Sequence, residues 1–250
     1  MPRFGKLDLP AWSKNAPTIH GYGTEPWKLT DARILNAFIE IDEESADALL
    51  PAAMHPSIPA YAIFNVTHYP QSPVGAFSIA EVRIAGRTAI RPRAFVLRGY
   101  CDNKDACREL TARWGYPAEH GEVKLEIRHD RVIGRVNAGG RSILEYEMLD
   151  RDAISGADIT YIASMHLARN QQDGKVTLVQ VDPEYTFNKA ERGRPQIIRF
   201  EPEAWNVAGK IRLQNPISAS FAVADVTIPK LRYVCNPEIS ALGGTTKVAA

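Results

Sequence analysis

The residues of this chain suited to proton transfer or anion binding fall into a few groups. Glu81 sits in the extended apolar run from Phe77 to Ile84. A carboxylate that projects from such a strand into an apolar interior can serve as a general acid or base. The competing reading is a solvent-facing strand glutamate. Tyr116, Glu119 and His120 cluster at a turn, where a glutamate and a histidine could move protons or hold a ligand hydroxyl. Otherwise they form a polar loop before a strand. Asn65 and His68 share an extended segment with opposite parity. If Asn65 faces inward, its amide can hydrogen-bond a ligand carbonyl. Arg91, Arg93 and Arg98 surround Pro92, and Arg33 lies further upstream. Any of these guanidinium groups could hold a carboxylate in a bidentate pair, or be a solvated strand-edge charge.

Other chemistries find little support. The six histidines form no His-x-His or His-x-x-x-His pair, and Cys101, Cys107 and Cys235 have neither zinc nor disulfide-framework spacing. No metal or cofactor is called for. The glycine pairs Gly21/Gly23 and Gly139/Gly140 lack the strand-to-helix setting of a phosphate loop. No Gly-x-Ser-x-Gly elbow occurs, and Ser164 carries no triad signature.

Elements that would position the candidates follow from pattern. Asp42 is a plausible N-cap for a short helix that Pro51 stops. A second helix starts near Asp102 or Asn103 and ends at Gly115-Tyr116-Pro117, with Ala106, Leu110 and Trp114 on one face. The remainder reads as strands: Ala32 to Ile41, Ile58 to His68, Phe77 to Ile84, Thr88 to Arg98, Glu122 to His129, Val132 to Asn137, Arg141 to Met148, Ile159 to Ala168, Lys175 to Asp182, Gln196 to Glu201, Lys210 to Leu213 and Ser218 to Tyr233. Asn137-Ala138-Gly139-Gly140 is a hairpin signal. No parallel βαβ rhythm is present, so the expected class is β-rich α+β: one domain, a mostly antiparallel closed β-barrel with a few short outer helices. Residues 1–28 read as an extended arm, 29–240 as the barrel and 241–250 as a frayed tail.

The segment Asp102 to Glu119 reads DNKDACRELTARWGYPAE. Together with Ile79-Ala80-Glu81, the Leu-x-Pro-like end of Asp42 to Pro51, and the strand from Glu122 to Ile127, it resembles the acetoacetate decarboxylase family, over roughly Ala32 to Tyr233. The resemblance implies a cone-like barrel with outer helices, an active-site glutamate at Glu81, and a homo-oligomer, to which the arm would also contribute. It further implies a Schiff-base lysine just after the proline, activated by desolvation and a neighbouring cation. Here that position holds Ala118, followed by Glu119. A second family glutamate falls at Asn65 or Val66, and the family's carboxylate-binding arginine falls at Ala32, next to Arg33.

Alanine has no amine and cannot form an imine. The expectation is therefore an enzyme that handles a small oxo acid or aromatic ketone by non-imine acid–base chemistry, of lyase, hydratase/dehydratase or isomerase type. Its site would comprise Glu81, Glu119 and His120, with Asn65, Tyr116, Ala118, Arg33 and Arg91 holding the ligand. Alternatives are a catalytically silent binder of a small carboxylate or carbonyl compound, or a decarboxylase with a displaced lysine, Lys124 being nearest in sequence.

The chain has 250 residues, 45% hydrophobic and 24% charged, with net charge +1. Dispersed charge of this kind offers no footprint for nucleic acid. No stretch has the length of a membrane span or a signal peptide, so a cytoplasmic protein is the default expectation.

Overall fold

The computed structural model describes residues 3–248. Its strands are β1 (Thr18–Ile19), β2 (Trp27–Ile41), β3 (His55–Pro56), β4 (Tyr61–Tyr69), β5 (Phe77–Thr88), β6 (Arg91–Cys101), β7 (Ala118–His120), β8 (Glu122–Ile127), β9 (Arg131–Ala138), β10 (Arg141–Ala153), β11 (Ala163–Asn170), β12 (Val176–Val181), β13 (Glu184–Phe200), β14 (Leu213–Ile228), β15 (Tyr233–Cys235) and β16 (Thr245–Lys247). Four helices accompany them: α1 (Leu9–Ser13), α2 (Glu43–Leu49), α3 (Lys104–Trp114) and α4 (Ala241–Gly244). Both expected helices form with side-chain caps. Asp42 accepts from the Ser45 N–H, and Asn103 accepts from those of Asp105 and Ala106. The α3 helix ends at Gly115 in the left-handed region (φ 68°), where an added Cβ would come within 2.6 Å of the Ala168 Cβ. Only glycine fits there without displacing β11.

All sixteen strands belong to one sheet, thirteen of them in the order β16-β15-β12-β11-β6-β5-β4-β2-β14-β13-β10-β9-β8, with β1 paired to β11, β3 to β5 and β7 to β6. The expected closure of the barrel is not seen: among the described residues no pairing joins the two ends. The β8 end is blunted by Glu122, Lys124 and Glu126, charges of the kind that discourage further pairing at an edge. The sheet curls tightly instead. Tyr146 of β10 reaches across to donate its hydroxyl to the Leu35 carbonyl of β2 (2.9 Å), and Phe64 of β4 meets Phe200 of β13 edge-on at 5.1 Å.

The two faces of the central strands have different cores, because successive residues alternate sides. Leu35, Val66, Ala80 and Tyr100 lie in one row and belong to the larger core, inside the curl. Ile34, Ile79 and Cys101 point the other way and pack with α3 through Ala106, Leu110 and Trp114. Trp114 is anchored by its indole N–H to the Pro229 carbonyl, at 2.8 Å.

Other expectations need adjusting at the edges. The arm is not wholly extended: it carries α1, and it is tied down by Gly5 N–H to Met54 O (3.0 Å) and Leu7 N–H to Leu50 O (2.9 Å). β2 starts at Trp27 rather than Ala32, and Asp31, at φ 54°, interrupts the alternation that would have revealed it. β13 begins at Glu184, twelve residues before the expected Gln196, because its first half is largely polar and exposed on one side. The expected frayed tail instead forms α4 and β16, the latter paired with β15. Met1, Pro2, Ala249 and Ala250 lie outside the described residues.

Candidate active site

One transverse row of the sheet collects the polar residues. Register runs from Ser220 (β14) to Asn36 (β2), Asn65 (β4), Glu81 (β5), Gly99 (β6) and Ala118 (β7). These positions share the face opposite the larger core, so four polar side chains stand side by side at strand spacing, about 4.8 Å apart. The Asn65 amide donates to Asn36 Oδ1 (2.9 Å), and the Thr67 hydroxyl donates to Asn65 Oδ1 (3.1 Å). At Gly99 the row has no side chain, and a Cβ there would lie 3.4 Å from Glu81 Cγ and 3.7 Å from Ala118 Cβ. The glycine therefore leaves no side chain between Glu81 and Ala118, although Ala118 lines a separate cavity with Tyr116, Pro117 and Glu119.

Above this row is a cavity of about 60 Å³. By volume it is large enough to hold ordered water. Its polar lining includes Asn65, Glu81, Arg83, Tyr116, Tyr161 and Ser164. Glu81 is 2% exposed. Arg83, two residues along β5 and therefore on the same face, forms an ion pair with it and has 15% of its side chain exposed. Glu81 Oε1 and Arg83 Nε are buried without a hydrogen-bond partner. Burial opposes the Arg83 charge, but the adjacent Glu81 carboxylate outweighs that and raises its pKa further, so the guanidinium is a permanent cation.

Phenols surround the ion pair. Burial raises the pKa of Tyr69, Tyr116 and Tyr161, and pushes Tyr185 up to about 12. All four remain protonated hydrogen-bonding groups at neutral pH. Tyr161 stands edge-on to Tyr185 (5.2 Å) and Phe187 (5.4 Å), and Tyr116 packs on the His166 ring at 4.2 Å. His166 is completely buried and its pKa is pushed down to about 3. Burial is the main cause, the Trp114 carbonyl opposes it, and Arg83 adds to it. It is neutral at physiological pH.

The structure brings together Glu81, Asn65 and Tyr116 from the expected set. Ala118 is half-buried at the end of the same row. Four others lie elsewhere. Arg33 and Arg91 are exposed; Arg33 has the opposite parity to Ile34 and Asn36, which line the cavity. Glu119 and His120 are exposed as well. Glu119 pairs with Arg98, and His120 Nδ1 lies 3.2 Å from the Cys101 carbonyl oxygen. Their chain position near the proline turn misled: Glu119 has the opposite parity to Ala118, and His120 lies two residues further along β7, where it is exposed. Lys124 is exposed and paired with Glu122 at 3.0 Å, and no lysine lines the cavity among the described residues.

Sequence reasoning missed Arg83 and the pair Ser164 and His166. The signal was available: Glu81-Val82-Arg83 and Ser164-Met165-His166 are both i, i+2 pairs on strands, so each pair shares a face.

The family model described as acetoacetate decarboxylase (ADC) matches residues 13–236. Sequence comparison with curated proteins finds no match. Among solved structures, the chain is similar to an acetoacetate decarboxylase from Legionella pneumophila at 18% identity and TM-score 0.73, covering 85% of this chain and 88% of that one. It is also similar to the enduracididine biosynthesis enzyme MppR complexed with pyruvate, at 14% identity and TM-score 0.69, covering 86% and 97%. An acetoacetate decarboxylase-like enzyme from Sphingomonas wittichii RW1 aligns at 16% identity and TM-score 0.63, covering 83% and 94%. Likeness at these identities speaks to fold alone. The family model spans most of the sequence, and on that match the chain belongs to the acetoacetate decarboxylase family.

Proposed function

We propose that the protein is an enzyme that acts on a small oxo acid without forming an imine, using Glu81 for proton transfer and Arg83 as its fixed positive charge. The observation that carries this reading is the pair of unmet buried atoms in one cavity, an acceptor at Glu81 Oε1 and a donor at Arg83 Nε. A buried polar atom without a partner is costly, and its persistence marks a position a ligand can complete. The volume of the cavity favours a small oxo acid over an aromatic ketone.

The chemistry follows from placement. Arg83 holds the ligand carboxylate or the carbonyl oxygen. Glu81 Oε1 takes the proton from the carbon next to the carbonyl, the C–H electron pair moves into the C=C bond, and the enolate oxygen gathers negative charge facing Arg83. Returning the proton to the opposite face or to another carbon, or expelling a group from the neighbouring carbon, completes an isomerase-type or lyase-type reaction. In the family the lysine supplies the positive charge, and here Ala118 cannot. Arg83 is a cation that cannot lose its proton under these conditions, and electrostatic stabilisation of an enolate in a dry site is worth far more than in water.

The test is exchange of solvent deuterium into pyruvate, 2-oxobutanoate and acetoacetate, followed by proton NMR, with borohydride trapping alongside. Exchange that Glu81→Gln abolishes, with no lysine adduct, is the expected result. Exchange that survives in Glu81→Gln removes Glu81 from the mechanism, and a trapped lysine restores imine chemistry. Ala118 itself favours a second reading, a protein of this fold that binds such acids without turning them over. Binding of all three without exchange would select it.

A further inference from the structure

Ser164 and His166 stand two residues apart on β11, with their side chains on one face. Both are buried, and Ser164 lines the cavity beside the ion pair. The His166 ring is held at both nitrogens: Nδ1 lies 2.8 Å from the Trp114 carbonyl oxygen, and Nε2 lies 2.8 Å from Ser164 Oγ. A carbonyl oxygen can only accept, so Nδ1 carries the proton. A neutral imidazole then offers only a lone pair at Nε2. The Ser164 hydroxyl must donate to it.

That assignment separates two roles for Ser164. A nucleophilic serine needs its histidine to take up a proton. Here the resulting imidazolium would be completely buried, with Arg83 close enough to oppose its charge. The nucleophile role is therefore disfavoured on electrostatic grounds. What remains is a hydroxyl whose hydrogen is already committed and whose oxygen keeps a lone pair free, on a residue that lines the cavity.

We infer that Ser164, oriented by His166, is an obligate hydrogen-bond acceptor for the ligand, so that the site prefers a hydroxyl-bearing oxo acid over the counterpart with a methyl group in that place. This rests on the oxo-acid reading above and deepens it. Arg83 supplies the donor for the acid or carbonyl end, and Ser164 receives the hydroxyl. Seating a methyl group against Ser164 would leave a buried lone pair unmet, whereas a hydroxyl satisfies it.

Hydroxypyruvate and 2-oxobutanoate test this directly. They have the same number of heavy atoms and the same charge, and differ by a hydroxyl in place of a methyl group. Isothermal titration calorimetry should give a Kd for hydroxypyruvate about tenfold lower than for 2-oxobutanoate, as expected for one hydrogen bond. In Ser164→Ala the ratio should fall to about twofold or less. Equal binding of the two acids by the wild type, or a ratio unchanged in Ser164→Ala, overturns the Ser164 assignment and leaves the oxo-acid reading standing. Binding of neither acid overturns both. Nitrogen-15 NMR of labelled histidine gives a readout independent of ligand. It should show His166 neutral with the proton on Nδ1 at pH 6, and a protonated Nε2 there would overturn the geometry.

Discussion

Replacing Arg83 by methionine tests whether Glu81 is a buried charge held by a single cation. Glu81 is 2% exposed, Arg83 is its salt-bridge partner, and its other oxygen has no hydrogen bond. Methionine keeps much of the arginine stem volume and removes the charge. Breaking a buried pair from one side costs about 3–5 kcal/mol, because the surviving charge is left without compensation. In a domain of this size each kcal/mol moves Tm by roughly 2–4 °C, so Arg83→Met should melt about 6–20 °C lower. The double variant Glu81→Leu/Arg83→Met removes both charges and should recover most of that loss, since an apolar replacement of a buried pair is often neutral or stabilising by about 1–4 kcal/mol. The assay is urea unfolding followed by tryptophan fluorescence, completed as a double-mutant cycle. If Arg83→Met lies within about 1 kcal/mol of wild type and the double variant is no better, Glu81 is not a buried charge that depends on Arg83. A strong rescue would mean that the chain keeps a destabilising pair at its cavity, as a site retained for chemistry would.

Two other outcomes follow from the same cavity. His166 is held neutral, its pKa lowered from 6.5 to about 3. Between those values the unfolded chain binds the proton and the folded chain does not, so stability should be complete above about pH 6.5 and fall as pH drops towards 3. The slope approaches about 1.4 kcal/mol per pH unit, and His166→Gln should flatten it in urea titrations; an unchanged slope would remove His166 as the cause. Ala118→Lys places an amine at the end of the polar row, with only Gly99 between it and Glu81. It should create a borohydride-trappable adduct with acetoacetate that the wild type lacks, and its absence would show that position 118 does not open towards Glu81.

Much of the scaffold was legible because local rules decide it. The α3 helix combines an Asn cap, a face repeating every four residues and a terminal glycine with φ 68°, and each of these is a short-range signal. The hairpin at Gly139-Gly140 is local in the same sense. Closure of the sheet was not legible, because whether two ends meet depends on curvature accumulated over thirteen successive strands and on the charged β8 edge. The extra length of β2 hid behind one positive-φ residue, Asp31.

For the site, parity was a better guide than proximity along the chain. Asn65 and Glu81 share one face of neighbouring strands, whereas Glu119 and His120, next to the proline turn, are exposed. Arg33 and Arg91 read as cations for a carboxylate, yet among the described residues the cation that lines the cavity is Arg83, two residues from Glu81 on the same strand face. An arginine inside an apolar strand reads as unfavourable when considered alone, since burial penalises its charge. It becomes tenable only with Glu81 beside it, so the acid and the cation have to be recognised as one unit. Where position 118 offers no amine, the place to look for a positive charge is thus the strand face carrying Glu81, because that carboxylate is what makes a second buried charge tenable.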